Sequence, residues 1–329
     1  MKAVQIQSFG DPQSIVNAVD LPEPEPPAAG EVLLAIEASP INPSDLSVLT
    51  GAYGVLPKLP AIPGNEGVGR VIAVGEGVTE VAVGDRVLLP LGCGAWREKL
   101  KARAAQLLPV PKGADPLQLA MSAVNPPSAY LMLQEFVDLK EGDWVIQNAA
   151  NSAVGKYLIR FAKSRGIKTV NVVRRAELGE SLRAIGADAV VVDGPDLAAK
   201  VAEATGKARI SLGIDAVAGP ATARLAGCLA DGGTLVNYGA MSGEPCHLSP
   251  QQLIFRDIHL RGFWLSTWLR KAGREAARDL LAKMTELLSS EALKVEVEAT
   301  YPFSRIKEAI AHAQREGRSG KVLLVGSTG

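Results

Sequence analysis

The residues of this 329-residue chain with the clearest chemical meaning form a small-residue turn between an expected strand and an expected helix. Residues 143–147 read as a buried strand, and apolar residues recur at helical spacing over 154–164. The turn that joins them reads Asn148-Ala149-Ala150-Asn151-Ser152-Ala153-Val154-Gly155. Backbone amides at the N-terminus of a helix bind pyrophosphate, and the dinucleotide fingerprint GxGxxG falls on Ala150, Ser152 and Gly155. Two of its glycines are replaced by other small residues, so the context rather than the pattern predicts a dinucleotide site.

A second signal is the pair Arg174-Arg175, which directly follows the next expected strand, residues 168–173. A carboxylate at this place binds the ribose 2′-hydroxyl of NAD, whereas a basic residue accommodates the 2′-phosphate of NADP. Guanidinium groups match the geometry of phosphate oxygens. From Trp144 to Ala176 the chain has no acid and seven bases, which are Lys156, Arg160, Lys163, Arg165, Lys168 and the arginine pair. The pattern predicts NADPH as the cofactor, and the first three of these bases fit a solvated helix face equally well.

The overall composition narrows the kinds of partner that this chain can bind. Lys plus Arg and Asp plus Glu each number 35, so the formal net charge is zero. Nucleic-acid and membrane-surface binders need a positive excess, and we therefore expect neither partner. The 47% hydrophobic and 21% charged residues are enough to build a large core and argue against disorder.

Cysteine and histidine are too few and too scattered to predict a metal site or a disulfide framework. The three cysteines are Cys93, Cys228 and Cys246, and the three histidines all lie in the last third of the chain. The absence of a CxxC pair favours a reducing compartment. The N-terminus has neither the apolar core of a signal peptide nor an Arg-rich leader, and no apolar run reaches membrane-spanning length. We expect a cytoplasmic protein.

The order of the expected elements predicts an α/β protein with two domains. The first 120 residues contain short β segments separated by Gly and Pro, whereas strands and helices alternate after Pro127. Such alternation is typical of a doubly wound parallel Rossmann sheet. A last strand at 321–325 can return to the first domain, which would make that β-rich domain discontinuous. The predicted domain limits are 1–122 and 268–329 for the β-rich domain and 123–267 for the Rossmann domain.

Several motifs resemble the medium-chain dehydrogenase/reductase superfamily, whose β-rich catalytic domain is GroES-like. They are Gly64-Asn65-Glu66-Gly67-Val68-Gly69, Val83-Gly84-Asp85-Arg86-Val87 and the closing Gly320-Lys321-Val322. Many members bind zinc through the His of a GHE motif and through an upstream Cys. By resemblance, Asn65 stands at the position of that His and Asn42 at the position of that Cys. A neutral amide is a poor zinc ligand, so we expect no metal and take both residues as candidates for a substrate pocket.

Six further stretches resemble more narrowly the 2-enoyl thioester reductases of mitochondrial fatty-acid synthesis and their bacterial relatives. They include Ile41-Asn42-Pro43-Ser44-Asp45, Tyr53-Gly54-Val55-Leu56-Pro57 and Leu260-Arg261-Gly262-Phe263-Trp264-Leu265-Ser266. The resemblance implies NADPH-dependent reduction of a trans-2-enoyl thioester. It implies Tyr53 as the catalytic proton or hydrogen-bond donor and Trp264 as a further pocket residue. The cofactor residues that it implies are Asn125, Asn151, Ser152, Ala153, Val154, Arg174, Arg175, Tyr238, Gly239, Ala240, Met241, Phe263, Trp264, Leu265 and Lys321.

Other functions remain open on the same scaffold. A quinone oxidoreductase shares the general frame, and a sensor that binds NADPH without turnover needs only the Rossmann half. Phe263 and Trp264 fit core or dimer packing as well as cofactor binding. The resemblance also implies a homodimer, with the segment Ile258–Leu265 as the candidate edge. The basic face of Lys156, Arg160 and Lys163 is a candidate docking site for an acidic acyl carrier protein.

Overall fold

The computed structural model describes residues 1–289 and 293–326 and divides the chain into two compact units. Unit 1 contains residues 1–124 and the chain from Ala277 onward, and unit 2 contains residues 125–276. The sequence-based limits lie slightly earlier, after residues 122 and 267. Near the second limit, the sequence pattern predicts a long helix over about 275–288, whereas the helix in the structure already begins at Leu265, with an interruption at Gly273, where φ is 83°. The predicted domain limits themselves stay predictions.

The elements are numbered here in chain order. The strands are β1 (Lys2–Gln5), β2 (Asn17–Asp20), β3 (Glu31–Pro40), β4 (Val68–Val74), β5 (Arg86–Leu88), β6 (Lys99–Arg103), β7 (Leu108–Pro109), β8 (Trp144–Gln147), β9 (Lys168–Val173), β10 (Ala189–Val192), β11 (Ile210–Asp215), β12 (Thr234–Asn237), β13 (His259–Gly262), β14 (Val297–Pro302) and β15 (Lys321–Val325). The helices are α1 (Pro12–Ile15), α2 (Pro43–Thr50), α3 (Pro116–Leu119), α4 (Asn125–Met132), α5 (Ala153–Ser164), α6 (Gly179–Ala184), α7 (Leu197–Thr205), α8 (Pro220–Cys228), α9 (Leu265–Leu288) and α10 (Ile306–Gln314).

Unit 1 is built on a seven-stranded sheet with the order β14-β15-β3-β4-β5-β7, in which β6 also pairs with β3. Alternate residues of β3 are buried because one face of the sheet covers the core that contains Trp96. The closing strand β15 pairs antiparallel with β3, with Leu324 opposite Ser39. The predicted return of the last strand to the first domain is therefore confirmed, and it brings Lys321 back to the sheet that carries the 41–67 segment.

Unit 2 is built on a six-stranded, all-parallel sheet with the order β10-β9-β8-β11-β12-β13. The doubly wound fold predicted from the alternation of strands and helices is confirmed. Helix α5 buries the apolar stripe that contains Tyr157 and Leu158 and leaves Lys163 exposed, as its period of 3.6 residues requires. None of the helices in the described ranges is long and apolar enough to cross a bilayer.

Candidate functional site

The small-residue turn lies at the carboxyl end of β8, where parallel α/β sheets bind ligands. Ser152 caps helix α5, and its Oγ accepts a hydrogen bond of 3.1 Å from the Gly155 amide. A Cβ atom on Gly155 would lie 2.5 Å from the carbonyl oxygen of Ala150, so only glycine lets the helix pack this closely on the turn. Ala149 adopts a left-handed backbone with φ 46°. These features build a cradle of backbone amides that fits a pyrophosphate, and Asn151 to Val154 form its rim.

The arginine pair lies at the carboxyl end of the neighbouring strand β9, and both side chains are exposed. Arg175 forms an exposed ion pair of 3.3 Å with Glu177. The carboxylate of Asp193, which follows β10, is bound by Arg224 through two hydrogen bonds of 2.7 and 2.6 Å. Because Arg224 neutralises Asp193, this part of the edge keeps the positive charge that a 2′-phosphate needs.

A third loop, Tyr238 to Met241, follows β12. Burial raises the pKa of the Tyr238 phenol, and the Ser152 side chain opposes this shift, so the phenol stays protonated at neutral pH. A Cβ atom on Gly239 would lie 2.8 Å from the carbonyl oxygen of Ala216. The backbone of this loop therefore lies against the loop that follows β11. The structure brings the turn, the arginine pair and the Tyr238 loop together along one edge of the sheet.

Of the remaining predicted cofactor residues of unit 2, Phe263 contacts this edge through its backbone. Asn125 is buried at the start of α4, and the Phe263 amide donates a 2.9 Å hydrogen bond to the Asn237 carbonyl. The Phe263 ring packs edge to face on Phe136 with ring centres 6.3 Å apart, which is the packing role left open by the sequence. Trp264 is half-buried and Leu265 is buried. Cofactor contacts by these residues stay predictions.

In unit 1, Tyr53 lies just beyond the C-terminus of helix α2. Gly51 ends the helix in the left-handed conformation, with φ 78°, and a Cβ there would lie 3.2 Å from Phe9. Tyr53 is half-buried, whereas residues 54–60 are exposed and include Val55, which is 64% exposed. The phenol therefore begins an accessible segment whose start is fixed by α2.

The N-terminus of α2 is anchored in a buried polar cluster formed by Asn42, Asp45, Glu66 and Lys321. The Asn42 Nδ2 donates a 2.7 Å hydrogen bond to Glu66 Oε1, while the Lys321 ammonium donates to Asn42 Oδ1. Asp45 accepts from the backbone amides of Asn42 and Asn65, at 2.8 and 3.1 Å. The amide of Asn42 thus bridges an ammonium and a carboxylate, and the cluster ties α2 to β15 and to the segment before β4.

Burial controls the acid–base behaviour of this cluster. It raises the pKa of Glu66 to about 7, although hydrogen bonds from Asn42 and Ala123 oppose the effect, and it raises the pKa of Asp45 to about 6. Burial likewise lowers the pKa of Lys321 to about 8. Lys321 was expected near a cofactor phosphate, but the structure buries its ammonium against Asn42 and the Ile41 carbonyl of unit 1. A cofactor contact by Lys321 and a substrate contact by Asn42 or the half-buried Asn65 stay predictions.

Sequence reasoning missed the carboxylate at the centre of the cofactor edge. The run of apolar residues predicts a strand over 212–217, but β11 ends at Asp215 itself because its side chain accepts from the amides of residues 217 and 218. An acid at the end of a buried strand was the available signal. Among the described residues, no three His, Cys, Asp or Glu side chains converge as a metal site would require.

Comparison with known proteins places this geometry among oxidoreductases. Residues 28–112 match the alcohol dehydrogenase GroES-like domain model, and residues 153–290 match the zinc-binding dehydrogenase model. The mitochondrial enoyl-[acyl-carrier-protein] reductase of Caenorhabditis elegans is 41% identical over 80% of this chain and 76% of its own length. That of Dictyostelium discoideum is 35% identical over 98% of this chain and 94% of its own length.

Two solved structures superpose on nearly the whole chain. A putative NADPH:quinone reductase from Bacillus thuringiensis has a TM-score of 0.90 and 30% identity, covering 99% of this chain and 98% of its own. The complex of Etr1p with NADP and crotonyl-CoA has a TM-score of 0.89 and 27% identity, covering 98% of this chain and 99% of its own. Both the enoyl reductase and the quinone reductase interpretations therefore have structural counterparts.

Proposed function

Because the chain belongs to the enoyl thioester reductase family of the medium-chain dehydrogenases/reductases, we propose that it reduces the carbon–carbon double bond of a trans-2-enoyl thioester with NADPH. The observation that carries this proposal is the carboxyl edge of unit 2. There the amide cradle before α5, the exposed arginine pair and the Tyr238 loop follow the strands β8, β9 and β12 of one parallel sheet. This set of donors fits a dinucleotide that carries a 2′-phosphate.

The residues of this edge have distinct tasks in the proposed reaction. The turn of Asn151 to Val154 binds the pyrophosphate at the N-terminus of α5, and Arg174 with Arg175 binds the 2′-phosphate. The Tyr238 loop holds the dinucleotide along the sheet. When bound, the cofactor supplies a hydride, which forms a new C–H bond at C3 of the substrate as the C2–C3 π bond breaks.

The electron pair of that π bond moves toward the thioester carbonyl, so negative charge builds on its oxygen. Tyr53 donates a hydrogen bond to this oxygen, and a proton taken from water is then added at C2 to complete the reduction. The phenol suits this task because it is a neutral donor at the start of an accessible segment. A donor that strengthens as charge develops lowers the barrier more than it tightens substrate binding.

A steady-state assay with crotonyl-CoA and NADPH tests the proposal. We expect NADPH oxidation that depends on crotonyl-CoA, and a loss of about 100-fold or more in kcat for Tyr53→Phe, with NADPH affinity retained. An unchanged kcat in Tyr53→Phe would contradict the assigned role of the tyrosine. Tight NADPH binding without oxidation by any activated alkene would instead favour the non-catalytic sensor.

The quinone oxidoreductase is the second candidate function, and the quinone reductase structure from Bacillus thuringiensis favours it. A benzoquinone assayed beside crotonyl-CoA separates the two functions. An enoyl thioester reductase has the higher kcat/KM for crotonyl-CoA and loses it in Tyr53→Phe. A quinone reductase shows the opposite preference in kcat/KM.

An acyl carrier protein is the proposed physiological carrier of the substrate. The basic face of α5 supports this proposal, since Lys163 is exposed and its aliphatic stem lies beside Gly186. Arg160 donates to the Lys156 carbonyl within the same helix. We expect Lys163→Glu to raise KM for a carrier-bound enoyl group but not for crotonyl-CoA. Lys207→Glu, an exposed charge reversal elsewhere in unit 2, is the control and leaves both KM values unchanged.

Self-association and location complete the proposal. Strand β13 ends the parallel sheet and its four residues are exposed, so its outer edge can pair with a second copy to form a homodimer. Light scattering of the wild type and of Leu260→Lys tests this, since a monomeric wild type contradicts it. We propose a cytoplasmic location because the three scattered cysteines favour a reducing compartment, and fractionation of the source cells distinguishes it from the mitochondrial location of the named relatives.

A further inference from the structure

The carboxylate of Asp215 lies at the centre of the carboxyl edge of unit 2 and is fully buried. It is the last residue of β11, between the strands β8 and β12 in the sheet. A buried carboxylate without hydrogen-bond donors would destabilise the fold. The donors to the two oxygens of Asp215 therefore indicate its role.

The two oxygens of Asp215 accept hydrogen bonds from five donors. Oδ1 accepts from Asn148 Nδ2 at 2.6 Å and from the amides of Val217 and Ala218 at 2.9 and 3.0 Å. Oδ2 accepts from Thr222 Oγ1 at 2.6 Å and from Asn237 Nδ2 at 3.3 Å. A site with five donors and two acceptor atoms is suited to an ionised carboxylate.

Four of these donors lie where three strands of the cofactor edge end. Asn148 begins the turn after β8, residues 217 and 218 follow β11, and Asn237 is the last residue of β12, directly before the Tyr238 loop. The fifth donor, Thr222, lies in helix α8. Ala218 is held in the left-handed conformation, with φ 64°, while its amide donates to the carboxylate. The single charge of Asp215 therefore fixes the start of each loop and stabilises a conformation that alanine rarely adopts.

The amides that reach Asp215 are themselves fixed by second contacts. Asn148 Oδ1 accepts from the Ala216 amide at 2.7 Å, and Asn237 Nδ2 also donates to the Gly239 carbonyl at 2.8 Å. The Tyr238 amide donates to the Asp215 carbonyl at 3.0 Å. Neither asparagine can turn its amide over without breaking two hydrogen bonds.

We infer that Asp215 is a positioning residue for the cofactor, because it sets the loops after β8, β11 and β12 relative to one another before NADPH binds. This inference rests on the proposed use of NADPH. Asp215 need not touch the cofactor, since it acts through the loops whose backbones it anchors. A preformed site loses less conformational freedom when the cofactor binds. Loss of the positioning role of Asp215 should therefore weaken the affinity for NADPH.

Asp215→Asn is the direct test, with NADPH affinity measured by fluorescence titration at a temperature where circular dichroism shows an intact fold. The amide keeps one acceptor atom, which the three Oδ1 donors require, and its NH2 group then faces Asn237 Nδ2. Loss of hydrogen bonds to a charged group predicts an increase of about 10- to 100-fold in the Kd for NADPH.

Asp188→Asn is the matched control. Asp188 Oδ2 also anchors backbone in unit 2, accepting from the Thr169 amide at 2.8 Å, but it precedes β10 at the opposite edge of the sheet. We expect this variant to lose thermal stability while its Kd for NADPH stays within about twofold of the wild type. Equal Kd values for Asp215→Asn and Asp188→Asn would overturn the inference.

Asn237→Ala covers the case in which Asp215→Asn does not fold. It releases only the loop after β12 and leaves the carboxylate paired with its other donors, and we expect a Kd raised about tenfold. An unchanged Kd in this variant overturns the inference. A wild type that binds no NADPH overturns the proposed function as well, whereas tight wild-type binding with unaffected variants overturns the positioning role alone.

Discussion

Replacing Glu66 by glutamine should change how the stability of the protein depends on pH. The Glu66 side chain is fully buried, and its two oxygens accept from Asn42 Nδ2 at 2.7 Å and from the Ala123 amide at 3.0 Å. Glutamine keeps the volume and the bond from Asn42 but turns an NH2 group toward the Ala123 amide. The variant therefore loses one hydrogen bond and the titration of one buried carboxyl group.

The sign and size of the effect follow from the pKa of Glu66. Burial raises that pKa from an ordinary value of 4.5 to about 7, so between these pH values the folded protein holds a proton that the unfolded chain has released. The free energy of unfolding consequently falls as pH rises through this window. At about 1.4 kcal/mol for each pKa unit, the loss amounts to about 3 kcal/mol by pH 8. In Glu66→Gln the free energy of unfolding does not fall with pH in this way. It is lower by about 1–2 kcal/mol throughout, because the hydrogen bond from the Ala123 amide is missing.

Calorimetric unfolding of the wild type and Glu66→Gln between pH 4.5 and 8 measures the difference. We expect the variant to be the less stable protein at pH 4.5 and to gain about 3 kcal/mol relative to the wild type by pH 8. Glu308→Gln is the control, because Glu308 is an exposed carboxylate of unit 1 whose pKa is lowered by Arg305. The stability of this variant relative to the wild type should therefore not rise between pH 4.5 and 8. A stability difference between the wild type and Glu66→Gln that is independent of pH would refute the reasoning.

Three further substitutions test other parts of the structure. Ala149→Gly should stabilise unit 2 by about 1 kcal/mol, measured as a higher Tm, because alanine is strained at φ 46°; a lower Tm would contradict this. Arg174→Glu should raise KM for NADPH about tenfold or more and raise KM for NADH much less, since only NADPH carries the 2′-phosphate; equal changes would contradict phosphate binding. Burial opposes ionisation of Glu298, but hydrogen bonds led by that of His312 lower its pKa to about 2. Its stabilising effect is present above pH 4.5 and is lost as pH falls toward 2, so Glu298→Gln should lower Tm at pH 7 and match the wild type near pH 2.

Local patterns were sufficient to predict the parallel sheet and its cofactor edge. The turn at 148–155 and the arginine pair each follow a short apolar strand, and strand order in a doubly wound sheet brings the ends of such strands to one edge. The replacement of two fingerprint glycines by Ala150 and Ser152 did not prevent this prediction. In the third position, Gly155, a Cβ atom would collide with the Ala150 carbonyl, and the glycine is kept.

Long-range hydrogen bonds could not be predicted in the same way. Asp215 and Asn148 are 67 residues apart, and Lys321 and Asn42 are 279 apart. Nothing local to Lys321 indicates that its ammonium is buried, because the strand Lys321–Val325 pairs with β3 from the other end of the chain. The start of α9 at Leu265 was missed for a local reason, since the left-handed Gly273 interrupts the helical period that the pattern follows.

The contacts of the buried cluster of unit 1 support the prediction that this chain does not use the zinc ligands of its superfamily. The position similar to their upstream cysteine ligand is Asn42, whose Oδ1 accepts from the Lys321 ammonium. A divalent cation at that oxygen would lie beside a fixed positive charge, and the amide is in any case a poor ligand for zinc. The positive charge next to Glu66 and Asp45 is thus supplied by a lysine that cannot coordinate a substrate oxygen as a metal does. A hydrogen-bond donor must therefore stabilise the charge on the thioester oxygen. We propose Tyr53 as this donor, and it lies just beyond the helix α2 that the cluster anchors.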